Sequence, residues 1–261
     1  MKKIISHHLL FVAINTVVIS GAVSADSSRA SELDEIIVTA QKREQSLQDV
    51  SISISVAGSE EIRERRIESV TDISAIAANA NIKPAIPGLM PILTVRGVGL
   101  NDFNAANNPS TGVYIDEVSL SSLALLSSDF FDLERIEVLK GPQGTMYGRN
   151  STAGALNVVT AKPDLEAFSA RAGGMAGSYD TYDIDLMANI PLSESFGARF
   201  AAKGIDQGEG HWTDSASGKN FGKRDVTMTR AQMLWLPSDR TKVFLKLEDQ
   251  RARNELGHAE F

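Results

Sequence analysis

From about residue 165 the chain becomes a series of long segments in which apolar and polar residues alternate, and this pattern restricts the fold more than any other feature. In "DTYDIDLMANI", Tyr182, Ile184, Leu186, Ala188 and Ile190 fall on one side of an extended chain, with Asp183, Asp185 and Asn189 on the other. "EAFSARAGGMAGSY" sets Phe168, Ala170, Ala172 and Ala176 against Ser169 and Arg171, and "SFGARFAAKG" sets Phe196, Ala198, Phe200 and Ala202 against Arg199 and Lys203. "TMTRAQMLWLP" continues the series, and "TKVFLKLEDQRAR" opposes Val243, Leu245 and Leu247 to Lys242, Lys246 and Glu248. A period of two is that of a β-strand with two unlike faces. Short polar turns ("GSYDT", "PLSES", "PSDR") and one long polar loop, "GEGHWTDSASGKNFGKRD", separate the segments. About five up-and-down strands of this kind fit the start of a membrane β-barrel, whose strands of about 10 residues are invisible to averaged hydropathy. A soluble antiparallel sandwich carries the same period, so both architectures stand on the pattern alone.

The opening of the chain favours the cell envelope. Lys2 and Lys3, the apolar stretch Ile4 to Val23 and the small residues Val23-Ser24-Ala25 read as an export signal spanning residues 1–25. A retained anchor is the competing reading, but His7, His8 and Asn15 interrupt the stretch. Removing Lys2 and Lys3 takes the formal charge from −7 to −9, and no basic patch argues for nucleic acid. Cysteine is absent, so the exported chain does not rely on disulfides.

Between these ends lie a polar arm, residues 26–50, and a compact α+β module, residues 51–163. The arm's composition predicts flexibility, and its one strand-like stretch, "EIIVTA", is an island with no visible partner in its own chain. In the module, "SISISVAG" alternates as a strand, "GSEEIRERRI" reads as a short helix capped by Ser59, and "ESVTDISAIAANA" as a second helix with a capping box of Ser69 and Asp72. "PILTVRGV", "GVYIDEV", "ERIEVLK" and "GALNVVTA" read as short strands, with turn chemistry in "GPQGTMYGRNSTAG".

These stretches together resemble the TonB-dependent outer-membrane receptors over nearly all of the chain after residue 25. "EIIVTA" resembles the family's TonB box; "TVRGVG", "GVYIDEV" and above all "LERIEVLKGPQGTMYGRNSTAGALNVVTAKP", Leu133 to Pro163, resemble its plug domain. The resemblance implies an α+β plug inside a transmembrane antiparallel barrel of about 22 strands, with residues 164–261 supplying about the first five. Five strands cannot close around a plug, so the expectation is an N-terminal part of a longer receptor. The implied function is energised uptake of a scarce nutrient across the outer membrane, most often a ferric siderophore, with cobalamin, haem and saccharides as other cargoes. The implied partners are the periplasmic TonB protein, outer-membrane lipid and a small nutrient ligand; no cofactor or metal site is implied.

Residue by residue, Glu35, Ile36, Ile37, Val38, Thr39 and Ala40 are expected to bind TonB. A short extended segment can add to a partner's sheet edge through main-chain hydrogen bonds; the competing reading is an ordinary first strand of the module. Arg96, Gly97, Gly99, Gly141, Pro142, Gly144, Tyr147, Gly148, Arg149 and Gly154 are expected to shape the plug, with Arg96 and Arg149 as candidates for buried ionic contacts. Leu89 and Met90 in "IPGLMP", and Asn101, Asp102, Phe103 and Asn104 in "LNDFNAANNPS", are candidate substrate-facing loop residues. The glycine-rich stretch contains no phosphate-loop pattern, and no H-E-x-x-H or G-x-S-x-G occurs. Only His211 and His258 remain after residue 25, which gives an enzyme reading little support. The few residues before Glu35 leave no room for the extra periplasmic domain of a signalling receptor.

Overall fold

The computed structural model describes residues 37–39, 42–43, 45–86, 89–99, 109–120, 129–215 and 217–254. Two short strands, β1 (Ile37–Val38) and β2 (Gln45–Ser46), precede β3 (Ile54–Gly58), which runs straight into α1 (Ser59–Glu64). A 3-10 turn, Val70–Ala75, leads to the strands β4 (Ala80–Ile86), β5 (Leu89–Val95) and β6 (Val98–Gly99). Then come β7 (Thr111–Ile115), β8 (Val118–Ser119), β9 (Leu133–Lys140), α2 (Gly144–Tyr147) and β10 (Gly154–Thr160). The wall follows: β11 (Ser169–Gly177), β12 (Thr181–Ser193), β13 (Phe196–Gln207), the small hairpin β14 (Trp212–Thr213) and β15 (Asn220–Phe221), β16 (Arg224–Ser238) and β17 (Thr241–Asn254).

The plug is built on a sheet of order β3-β9-β10-β7-β8, in which only β10 and β7 run parallel. Its two central strands are covered on both faces. Ile136, Val138, Leu156 and Val158 point into a core completed by Ile62, Val70 and Ile73 from the helical turns and by Ile82 and Leu93 from the β4–β5 hairpin. Leu139 and Ala155 point the other way, into a second cluster with Val38, Tyr114 and Tyr147, flanked by Leu47, Val50, Ile52 and Ile54.

Three local expectations need correction. Ser59 is the first helical residue and Gly58 occupies the N-cap without a side-chain bond, because β3 delivers an extended backbone directly to the helix. The expected second helix is a 3-10 turn only six residues long; its capping box of Ser69 and Asp72 is present. Asn79, at φ 65°, then turns the chain into β4, a strand that Pro84 hid. The described residues of the arm are ordered against the plug: β1 pairs antiparallel with β2, Ile37 opposite Ser46, and the pair forms part of the second layer over the plug sheet.

The wall is one antiparallel sheet of order β11-β12-β13-β16-β17, matching the five alternating segments. Its polarity is inverted relative to a soluble sheet. Asp183, Asn189, Lys203, Gln207, Arg230 and Gln232 are buried on the face toward the plug, while Tyr182, Ile184, Leu186, Phe200, Leu245 and Leu247 are exposed on the other. A sandwich would bury the second set and expose the first, so the sandwich reading fails and the outer face is a lipid face.

The outer apolar belt also reports how the strands lean. On β12 it reaches up to Tyr182, whose row across the sheet continues through Asp206, Asp225 and Arg253. The first row apolar throughout is Ala188, Phe200, Ala231 and Leu247. The belt's upper edge therefore drops about six residues over three strand steps, roughly 20 Å against 14 Å at ordinary strand spacings. That corresponds to a lean of roughly 55°, in the sense of membrane-barrel strands and somewhat steeper than their usual 35–45°.

Candidate functional site

The site at the N-terminal end begins with β1. Val38 is 0% exposed, in a socket of Tyr114, Tyr147, Leu139 and Ala155, while Ile37 beside it is 42% exposed. Burying a valine side chain contributes about 1.5–3 kcal/mol. The next residue adds a polar latch. The Thr39 amide donates to Glu137 Oε1 at 2.8 Å and its hydroxyl to the same oxygen at 3.3 Å. Glu137 is itself 0% exposed on central strand β9 and takes Arg135 Nε at 2.7 Å and Asn157 Nδ2 at 3.2 Å. Arg135 and Asn157 also donate to the Thr39 hydroxyl, at 3.1 and 3.2 Å. A carboxylate in so dry a place is tolerable only because every side of it meets a donor. Burial, then the charge of Glu137, pushes the Tyr147 phenol well up, so the ring lining the socket stays neutral.

A second set of contacts joins plug to wall. Arg199 grips Asp132 bidentately, at 2.8 and 2.6 Å. Lys203 meets Glu68 at 2.9 Å, Lys246 meets Asp116 at 2.7 Å, and Arg224 pairs with Asp129. Among the described residues all four pairs put the acid on the plug and the base on the wall. Arg230 adds hydrogen bonds to the carbonyls of Phe131 and Asp132, and its guanidinium lies 4.2 Å from the Phe131 ring centroid. That ring enters an apolar patch of Ala201, Ile205, Val226 and Met228 on the inner wall. Residues 129–132 are thus pinned by side chains of two wall strands, β13 and β16, and a cleft of about 540 Å³ remains between α1 and β11–β13.

Two plug acids feel this interface oppositely. Burial alone would raise Asp116, but hydrogen bonds from Lys246 and from the Thr160 amide and hydroxyl outweigh it and hold the carboxyl low. At Asp129 burial wins over Arg224 and the carboxyl is raised.

The expected site residues distribute as follows. Ile37, Val38 and Thr39 come together at the latch; Glu35, Ile36 and Ala40 lie outside the described residues. Arg96 and Gly97 form the tip of the β5–β6 hairpin, both at positive φ, and Gly99 follows in β6. Gly141, Gly148 and Gly154 also have positive φ, flanking Pro142, α2 with Gly144 and the buried Tyr147. Arg96 and Arg149 are exposed, so neither makes the expected buried ionic contact among the described residues; the hairpin tip and the α2 exit turn them outward. Leu89 and Met90 belong to β5, beside the tip of a hairpin rather than in a free loop. Asn101, Asp102, Phe103 and Asn104 lie outside the described residues. The residues that do most, Glu137, Arg135, Asn157, Asp116, Asp129 and Asp132, belong to no motif of the sequence; the available signal is an acid at a core position of "ERIEVLK".

An apolar-cored domain pinned by its acids to the inner face of an inside-out sheet is the architecture of a plugged outer-membrane barrel, with the plug toward the periplasm. Residues 46–155 match the family model of the TonB-dependent receptor plug domain. The pesticin receptor of Yersinia pestis is 23% identical over 201 residues, which cover 76% of this chain and 29% of that receptor. The vitamin B12 transporter BtuB of Vibrio vulnificus is 28% identical over 200 residues, covering 72% and 30%. Among solved structures, the pyoverdine outer membrane receptor FpvA of Pseudomonas aeruginosa, bound to pyoverdine, superposes with a TM-score of 0.68 at 17% identity, covering 83% and 30%. Residues 46–155 are a plug domain of the TonB-dependent receptor family. The chain spans under a third of the length of these relatives.

Proposed function

We propose that the receptor to which this chain belongs takes up a scarce nutrient, a ferric siderophore, across the outer membrane, driven by the periplasmic TonB protein acting on residues 35–40. The observation that carries this reading is the docked strand. Val38 and Thr39 are held, but Ile37 is open to solvent at the edge of a two-residue ladder. Such a strand can pair with a partner's sheet edge by main-chain bonds once the Glu137 latch lets go. Pulling then acts on the plug, whose residues 129–132 stay pinned to the wall through Asp132 and its neighbours. No substrate bond is broken, and the reading calls for no catalytic residue or cofactor. The iron cargo is favoured because a ferric yersiniabactin uptake receptor and a ferripyoverdine receptor are among the similar structures; cobalamin is the second reading, from BtuB.

The test is Ile37→Pro in the complete receptor. Proline removes a main-chain donor and cannot continue a ladder. Energised uptake of iron chelate is expected to vanish while surface binding persists; undiminished uptake would sink the assignment.

A further inference from the structure

The segment that joins plug to wall, residues 161–168, belongs to no strand, yet it is fastened at three points. As it leaves β10, the Ala161 amide donates to the Asp132 carbonyl at 3.0 Å, beside the carboxylate that Arg199 grips. Asn189, on the plug-facing side of β12 and 0% exposed, holds the middle. Its Oδ1 accepts the Asp164 amide at 2.9 Å, and its Nδ2 donates to the carbonyls of Asp164 at 3.0 Å and Ala167 at 2.8 Å. A side chain here does what a neighbouring strand would do, accepting from the N–H and donating to the C=O of one residue. The third point is apolar: Leu165 lies over Gly197 of β13, where a Cβ would come within 2.7 Å of its Cδ2. Pro163, between the first two points, is buried.

The residue type at 189 is demanded by this task. A primary amide supplies one acceptor and two donors, an aspartate lacks both donors, and a leucine of similar size lacks all three groups. A fully buried amide needs partners, and every bond Asn189 makes across the gap goes to the linker backbone. The Asp164 carboxylate tightens the same bend by accepting the Glu166 amide at 2.8 Å.

Beyond the clamp lies the weakest strand of the wall. β11 has nine residues, six of them glycine or alanine, against 12 to 15 residues in the other four long strands. Glycine weakens a strand because it brings no side chain to pack. β11 is also an edge of the wall sheet, so its free side belongs to the seam at which a barrel closes. Tension arriving from the plug would fall first on its terminal pair, Ser169 opposite Asn189.

We propose that Asn189 is a positioning residue for transport, a strain relief that passes the pull on the plug into β12 before it reaches β11, so that the linker stays with the wall while the plug is moved. This rests on the TonB reading for the origin of the pull; the clamp itself is a property of the resting receptor.

The test needs neither TonB nor cargo. The complete receptor, freed of other cysteines and held in a supported lipid bilayer, is pulled mechanically through Ile37→Cys at constant force. Extension is expected to arrest at the length of residues 37–163 and again roughly 17 Å further on, at the length of residues 37–168, where the first β11 pair takes the load. Asn189→Leu should shorten the lifetime of the first arrest by at least about tenfold. Gly197→Ala, which displaces Leu165 and leaves the amide in place, should shorten it in the same sense, and it decides the matter where Asn189→Leu does not assemble. Later arrests, from the barrel hairpins, should keep their lifetimes. No arrest at residue 163 in the unaltered receptor, an unchanged lifetime in the variants, or equal shortening of the later arrests overturns the clamp. Loss of the first arrest beside abolished uptake in Ile37→Pro defeats the clamp alone; a normal first arrest beside undiminished uptake in Ile37→Pro defeats the TonB reading alone.

Discussion

Plug and wall use the same two-residue alternation in opposite senses. In β9 and β10 the central positions are buried on both sides, and the one fully buried charged side chain, Glu137, is surrounded by donors. In β12, β13 and β16 the apolar positions face out and the charges face in, where they meet the plug. The difference teaches that period two reveals a strand but not its solvent. What assigns the solvent is which set of residues is buried, and here the two bodies hold each other by acid on one and base on the other.

The largest expected break of this comparison lies at the joint. Asp132→Ala leaves Arg199 buried without its carboxylate and should cost about 3–5 kcal/mol, read by denaturant unfolding of the plug. Replacing both partners by leucine should cost less than either single change. Next, Leu186→Arg places a charge in the lipid face and should cost about 2–4 kcal/mol, whereas Met187→Arg on the inner side should be borne more easily. Equal effects would erase the distinction between the faces.

Acid titration sharpens the joint further. Asp116 is held below its ordinary value of 3.8, so its stabilisation is complete above that value and is lost as pH falls through the lowered one. Asp116→Asn should flatten the acid limb of the stability curve. Asp129 is raised by burial, so its stabilising form is the neutral one, and stability declines as pH climbs from the ordinary value through the raised one; Asp129→Asn should remove that opposing slope. The smallest effect belongs to Arg251→Ala, whose pair with Asp249 is largely exposed and should contribute under about 0.5 kcal/mol.

The five wall strands were legible because their faces differ at every step. The docking of β1 was not, since its ladder partner Gln45–Ser46 is polar and too short to show a period, and its latch, Glu137, lies 98 residues from Thr39. Spacing of Val70, Ile73 and Ala77 suggested a helix because a short 3-10 turn places residues on the same side. In each case the missing information was a contact distant in sequence, which local periodicity does not encode.

The central claim is that the strand latched by Glu137 is the handle for the periplasmic partner. In the complete receptor freed of any cysteine beyond these 261 residues, a single one placed at Ile37 can be trapped as a disulfide with a cysteine in the strand-edge region of TonB, in cells supplied with iron chelate. The account predicts efficient trapping at residue 37, increased by Glu137→Gln, and little at Ser59 on α1. Trapping that is equal at both positions, or absent at residue 37, would contradict it.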